Sequence, residues 1–129
     1  MASSKIHVII TGGTIDSFYE AARDTVLPLK HSIIPNYFGI IKISNKITFT
    51  ELCMKDSRQI NLKDLKKLLS EIEKSKCGKI IVTHGTYTMP DTARFIEANI
   101  KRKDQTIILT GSVIPIEGFS PSDGPFNLG

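Results

Sequence analysis

Lys5-Ile6-His7-Val8-Ile9-Ile10-Thr11-Gly12-Gly13-Thr14 is the stretch on which the fold turns. Its apolar residues are all β-branched, and they run directly into a threonine and two glycines. A short apolar run closed by glycine is what a strand buried on both faces of a parallel sheet requires. The pattern returns twice. Ile80-Ile81-Val82 runs into Thr83-His84-Gly85, and Ile107-Ile108-Leu109 into Thr110-Gly111-Ser112. A further strand over Lys46 to Leu52 alternates less cleanly. It follows an irregular stretch holding Pro28 and Pro35, which predicts a mobile loop and then a short helix near Tyr37 to Ile41.

The intervals between these strands have helical period. Leu62, Leu65, Leu68, Leu69 and Ile72 recur at spacings of three and four and form one apolar stripe. Asn61 reads as its N-cap, with Asp64 completing a variant capping box and Gly78 lying past its end. A second helix is predicted from Pro90 to Lys101, with Ala93, Ile96 and Ile100 facing the sheet. The order strand, loop, strand, helix, strand, helix, strand argues an open α/β sheet with right-handed crossovers. The expected fold is therefore a three-layer, flavodoxin- or Rossmann-like domain: an open parallel sheet with helices on both faces. Ser122 to Gly129 reads as the opening of one more helix, so residues 1–129 are expected to be a single domain cut short at its C-terminus.

Composition agrees with a globular chain. At 129 residues, 40% hydrophobic and 23% charged, it is too apolar for a disordered segment. Cys53 and Cys77 form no CxxC pair, which excludes a cysteine-based zinc site and suits buried, reduced thiols in a reducing compartment. No apolar run approaches the ~20 residues of a membrane span. Met1 to Lys5 carries no cleavable small-residue site, so a cytoplasmic protein without a signal peptide is expected. The net charge of +4 gathers in Lys63, Lys66, Lys67, Lys74, Lys76 and Lys79 and again at Lys101-Arg102-Lys103. No aromatics are interleaved as a single-strand binder needs, so these read as solvated helix faces; neither nucleic acid nor membrane is expected as a partner.

Ligands of open α/β sheets bind beyond the carboxyl ends of the strands. Here those ends carry Thr11 and Thr14, then Thr83, His84 and Thr86, then Thr110 and Ser112, with glycines among them. Glycine permits close backbone approach, and hydroxyls offer nucleophiles or hydrogen bonds. GxGxxG, GxxxxGK[ST], GxSxG and HExxH are all absent, and His7, His31 and His84 lack ligand spacing, so no metal or cofactor is expected. Phosphate binding through backbone amides stays open as an alternative. Structural readings stand beside the functional ones. Thr11 and Thr83 suit caps of strand ends, His84 a packed histidine, Asp56 an Asx turn, and Asp123 a helix N-cap.

Thr11-Gly12-Gly13-Thr14-Ile15 resembles the first signature of the bacterial-type L-asparaginases, and Thr83-His84-Gly85-Thr86 with Thr88-Met89 resembles their second. Lys55-Asp56-Ser57 is similar to their substrate-binding Asp-Ser. Ile108 to Ser112, Pro115, and Ser122-Asp123-Gly124-Pro125 with Asn127-Leu128 resemble the segment that follows. The resemblance implies hydrolysis of the asparagine side-chain carboxamide to aspartate and ammonia. Thr14 would be the nucleophile, Thr86 the second threonine, and Tyr19 the tyrosine of the lid. Asp56, Ser57, Tyr87, Gly13 and Gly85 would bind substrate, with Ser57 on its α-carboxylate. The resemblance further implies a small-molecule substrate and a homo-oligomer.

The chain departs from that pattern. Tyr87 stands where the family has the Asp that pairs with the substrate ammonium, and a phenol of pKa near ~10 is neutral at pH 7. Asp91 or Glu20 is the expected substitute. The family's relay lysine falls past Gly129. These departures favour an alternative, a non-catalytic domain that senses an amino acid or another small ligand.

Overall fold

The computed structural model describes residues 5–118 and 120–129. Met1 to Ser4, read above for a signal peptide, lie outside them. In chain order the elements are β1 (Lys5–Gly12), a 3-10 turn (Thr14–Asp16), β2 (Ser17–Glu20), β3 (Thr25–Pro28), α1 (Ile34–Ile41), β4 (Lys46–Lys55), a second 3-10 turn (Ser57–Gln59), α2 (Leu62–Lys74), β5 (Lys79–Thr83), α3 (Met89–Asn99), β6 (Thr106–Thr110) and α4 (Gly124–Leu128).

The opening stretch is β1, buried from His7 to Gly12 because it has a parallel neighbour on each side. Strand order is β4-β1-β5-β6, parallel throughout. Side chains alternate between the two faces of a strand. Ile9 accordingly joins Ile80 and Val82 of β5, Leu68 and Ile72 of α2 and Ile96 of α3. Val8 and Ile10 join Ile15 and, from α1, Ile34 and Phe38. Those two cores glue helices to opposite faces, which gives the expected three layers.

The order also locates a crevice. From β1 the chain steps one way to β4, then returns across β1 to β5 and continues to β6. Adjacent β1 and β5 therefore send their following segments in opposite directions, and the space beyond their carboxyl ends is a topological switch point.

Three local expectations change. The predicted mobile loop is a hairpin, with β2 and β3 paired antiparallel from Ser17 opposite Pro28 to Glu20 opposite Thr25. Buried Asp16 anchors its base: the carboxylate accepts from Ser32 Oγ at 2.6 Å and Ile33 N at 2.9 Å. Helix α2 carries the predicted capping box, with Asn61 Oδ1 accepting from Asp64 N at 3.0 Å and Asp64 Oδ2 from Asn61 N at 3.1 Å. It ends at extended Ser75, with Gly78 past its end and ahead of β5 as expected. Strand β4 continues to Lys55, because beyond a register shift Gly12 pairs with Lys55. Cys77 is buried, whereas Cys53 is half-buried; its thiol donates to Thr11 O at 3.4 Å and burial pushes its pKa up to about 11. Among the described residues no helix is long and apolar enough to cross a membrane, and no His, Cys, Asp and Glu cluster could hold a metal.

Candidate active site

The site is built from backbone contact between loops. Gly13, just past β1, has φ 84° and ψ −178°, a conformation that is essentially glycine's alone. A Cβ there would lie 2.4 Å from Gly85 N. Its own N–H donates to Lys55 O at 2.9 Å, which ties it to the end of β4. Gly85, past β5, is as tightly placed: a Cβ would lie 2.7 Å from Ser57 Cβ. The segments after β1, β4 and β5 thus stack glycine on glycine on serine. The residues after the two glycines, Thr14 and Thr86, are thereby delivered to the same place as Ser57. They border a cleft of about 170 Å³, whose walls also include Gly13, Gly85, Asp56 and Tyr87.

Ser57 is buried and latched by a residue of the second loop. Its Oγ accepts from Thr88 N at 3.2 Å, and Thr88 Oγ1 donates to Ser57 O at 2.9 Å. The Ser57 hydroxyl proton is not consumed by the Thr88 amide and can be given to a ligand. Asp56 makes the predicted Asx turn: its Oδ1 accepts from Arg58 N at 2.9 Å. The Arg58 side chain returns to the same carboxylate, Nε to Oδ1 at 3.0 Å and Nη2 to Oδ2 at 2.9 Å. Those charge-assisted bonds hold the Asp56 carboxyl below its usual range. The Arg58 guanidinium also lies over the ring of exposed Tyr87, 5.9 Å from its centroid. Arg58 and Val26 line the cleft and were missed in the sequence. For Arg58 a signal existed, since a basic residue two positions after an Asx-turn aspartate can fold back on it.

Behind the cleft, His84 is 1% exposed, with Nδ1 2.7 Å from Gly85 O and Nε2 2.8 Å from Thr92 Oγ1. A carbonyl only accepts, so the network puts the proton on Nδ1, and Nε2 accepts from the Thr92 hydroxyl. Burial lowers its pKa. His84 is thus the packed histidine that the sequence allowed, and it steadies the loop bearing Thr86. Thr11 does cap a strand end, donating to Thr83 O at 2.8 Å.

Other expected residues lie elsewhere. Tyr19, on β2, gives its phenol proton to Asp24 and lines a neighbouring cavity of about 180 Å³, which shares Val26 with the cleft. Glu20 accepts from Ala22 N within the hairpin at 3.2 Å, and Asp91 pairs with Arg94 on α3 at 3.3 Å; neither borders the cleft. The third strand end is also outside it. Ser112 Oγ donates to Ile114 O at 2.8 Å and Thr110 Oγ1 to Asn127 O at 3.5 Å, so both serve the 111–128 segment. The reason is strand order: β5 stands between β6 and β1. Asp123 precedes α4 but makes no cap; its carboxylate accepts instead from Val113 N and Ile114 N, both at 3.0 Å.

Fold and site together define an α/β protein with a cleft at the switch point of an open parallel sheet, lined by hydroxyls over a glycine-packed floor. The family model "Asparaginase, N-terminal" matches residues 5–129, and the chain belongs to the asparaginase family. It is 32% identical over 142 residues to the glutaminase-asparaginase of Acinetobacter glutaminasificans, covering 97% of this chain and 40% of that protein. Against L-asparaginase 2 of Escherichia coli it is 28% identical, over 99% of this chain and 38% of the other. Among solved structures, the thermostable L-asparaginase from Thermococcus kodakarensis superposes with a TM-score of 0.79 at 30% identity, over 96% of this chain and 38% of that one. The probable cytoplasmic L-asparaginase from Campylobacter jejuni gives 0.78 at 27%, over 96% and 39%. The chain thus spans about two fifths of the length of these relatives.

Proposed function

We propose that this chain is the catalytic-domain portion of an amidohydrolase that converts the side-chain carboxamide of asparagine, or of a related amide, to the acid and ammonia. The Thr14 hydroxyl oxygen attacks the carboxamide carbon. Its proton passes by way of Thr86 to the departing nitrogen, which leaves as ammonia. Water then cleaves the ester on Thr14, returning the hydroxyl and releasing the acid. Threonine is a weak nucleophile at its free pKa, and a second hydroxyl lining the same cleft gives its proton a route. Ser57 donates to the substrate carboxylate. Asp56 and Tyr87 complete the substrate walls, while Gly13 and Gly85 allow the loops to close on them. Tyr19 is the lid residue in this reading, carried on the hairpin whose Val26 forms one wall. No cofactor takes part. The family's pattern adds a homo-oligomer to the proposal, and the name of the Campylobacter jejuni neighbour supports a cytoplasmic setting.

The observation that carries the proposal is the arrival of Thr14, Thr86 and Ser57 at one cleft through the Gly13–Gly85–Ser57 stack. Ammonia release from asparagine tests it. Thr14→Ala is expected to abolish release while leaving the unfolding midpoint close to that of the parent. Undiminished release by that variant removes Thr14 from the mechanism.

A further inference from the structure

Resting on that amidohydrolase reading, we propose that the cleft selects a carboxamide whose far end carries a carboxylate and no free ammonium, with Arg58 as the specificity-determining residue. The substrate class is the monoamides of dicarboxylic acids and N-acylated asparagine, in preference to asparagine itself.

The argument begins with the charges in the cleft. Among the described residues lining it, Asp56 and Arg58 are the charged ones, and they neutralise each other. Both Asp56 oxygens are occupied: Oδ1 by the Arg58 backbone N–H and Nε, and Oδ2 by Nη2. A ligand ammonium would find one remaining acceptor position, on Oδ2, beside a guanidinium that already neutralises the carboxylate and repels a second cation. The other walls offer it no charge, being the hydroxyls of Thr14, Ser57 and Thr86, the phenol of Tyr87 and the methyls of Val26. An aromatic face can attract a cation. The Tyr87 ring already faces the Arg58 guanidinium, however. Glu20 and Asp91 are held in the hairpin and on α3, outside the cleft.

A ligand carboxylate meets the opposite situation. Asp56 engages Nε and Nη2 of Arg58, so the Nη1 corner of the fork keeps its N–H groups for an incoming anion. The Ser57 hydroxyl can donate to the same anion, because the Thr88 amide occupies an acceptor position on its oxygen and not its proton. Asp56 orients the guanidinium in advance, which lowers the entropy lost on binding. A zwitterion would gain the same carboxylate contacts and leave its ammonium without a charged partner.

Calorimetric titration of the chain with succinamic acid, N-acetyl-L-asparagine and L-asparagine, beside an ammonia assay on each, tests this. The two ligands without an ammonium are expected to bind at least about tenfold more tightly than asparagine, the scale of one charge-assisted hydrogen bond. Arg58→Gln should remove that preference and Arg58→Lys retain part of it, while Tyr87→Asp should turn it toward asparagine. Asparagine binding as tightly as the other two, or no heat from either of them, overturns the inference. Ammonia from asparagine with none from succinamic acid also overturns it and leaves the hydrolase reading standing. Tight succinamic acid binding with ammonia from none of the three does the reverse: it supports the anion preference and removes turnover by this chain.

Discussion

Lowering the pH from about 7.5 to about 5.5 presses protons onto two imidazoles that the fold keeps uncharged. His7 is 5% exposed and His84 1%. His7 has a hydroxyl on each ring nitrogen, Ser75 Oγ at 2.8 Å and Thr50 Oγ1 at 2.7 Å. Burial lowers both pKa values from 6.5; the Glu71 carboxylate partly offsets this at His7, and the hydrogen bond to the Gly85 carbonyl does so at His84. Above the unfolded value neither state holds these protons, and stability is at its full level. As pH falls through that value the unfolded chain takes up protons that the folded chain refuses, so stability declines. The decline ends only when the lowered folded values are passed. Each site contributes a slope of at most about 1.4 kcal/mol per pH unit, and the two together at most about 2.7. Other groups act in lower windows. Asp56, Asp64, Glu51, Asp104 and Asp123 are shifted downward, so their stability is lost below the ordinary carboxylate range. Asp16 is shifted upward by burial and works in the opposite sense, favouring the folded state as pH falls toward 3.8. Urea unfolding across the interval is the assay. With a slope of about 1–3 kcal/mol per molar urea for a domain of this size, a loss of ~2 kcal/mol shifts the midpoint by about 1 M. His7→Gln should remove roughly half the pH dependence. An unchanged midpoint between the two pH values would refute the reasoning.

Two further outcomes follow from the scaffold. Gly13→Ala combines a disfavoured φ with a Cβ 2.4 Å from the Gly85 backbone; strain of about 1–3 kcal/mol and overpacking of similar size should lower the urea midpoint and abolish ammonia release together. Asn61→Ala removes half of the α2 capping box and should cost about 1 kcal/mol in the same experiment, with catalysis by folded protein unaltered.

How far the sequence could be read depended on how near each residue's partner lies along the chain. Strand β1 was legible because a strand with neighbours on both sides has apolar side chains on both faces, and the residues from Val8 to Ile10 say so directly. The capping box was legible because Asn61 and Asp64 are three residues apart. The hairpin was not, because β2 and β3 are four residues each, too short to display a period, and their pairing is completed by Asp16 reaching Ser32. Asp123 looked like a cap, yet its carboxylate satisfies amides ten and nine residues earlier.

The cleft divides in the same way. Gly13 and Gly85 announced themselves, since a glycine directly after a buried strand implies close approach there. Which hydroxyls share the cleft is a different kind of fact. Thr14, Thr86, Thr110 and Ser112 all follow strand ends, and nothing local separates the first two from the last two. Strand order separates them: β1 and β5 flank the switch point, while β6 lies one strand farther out, where its hydroxyls secure the 111–128 segment. Arg58 shows the remaining limit. Its folding back onto Asp56 is local, but its meaning is not, because only the assembled cleft reveals that, among the described residues lining it, Arg58 alone balances Asp56. On the proposed reading, substrate preference would be a property of the whole set of charges around the cleft, and a single position such as Tyr87 would acquire its consequence from Arg58 beside it.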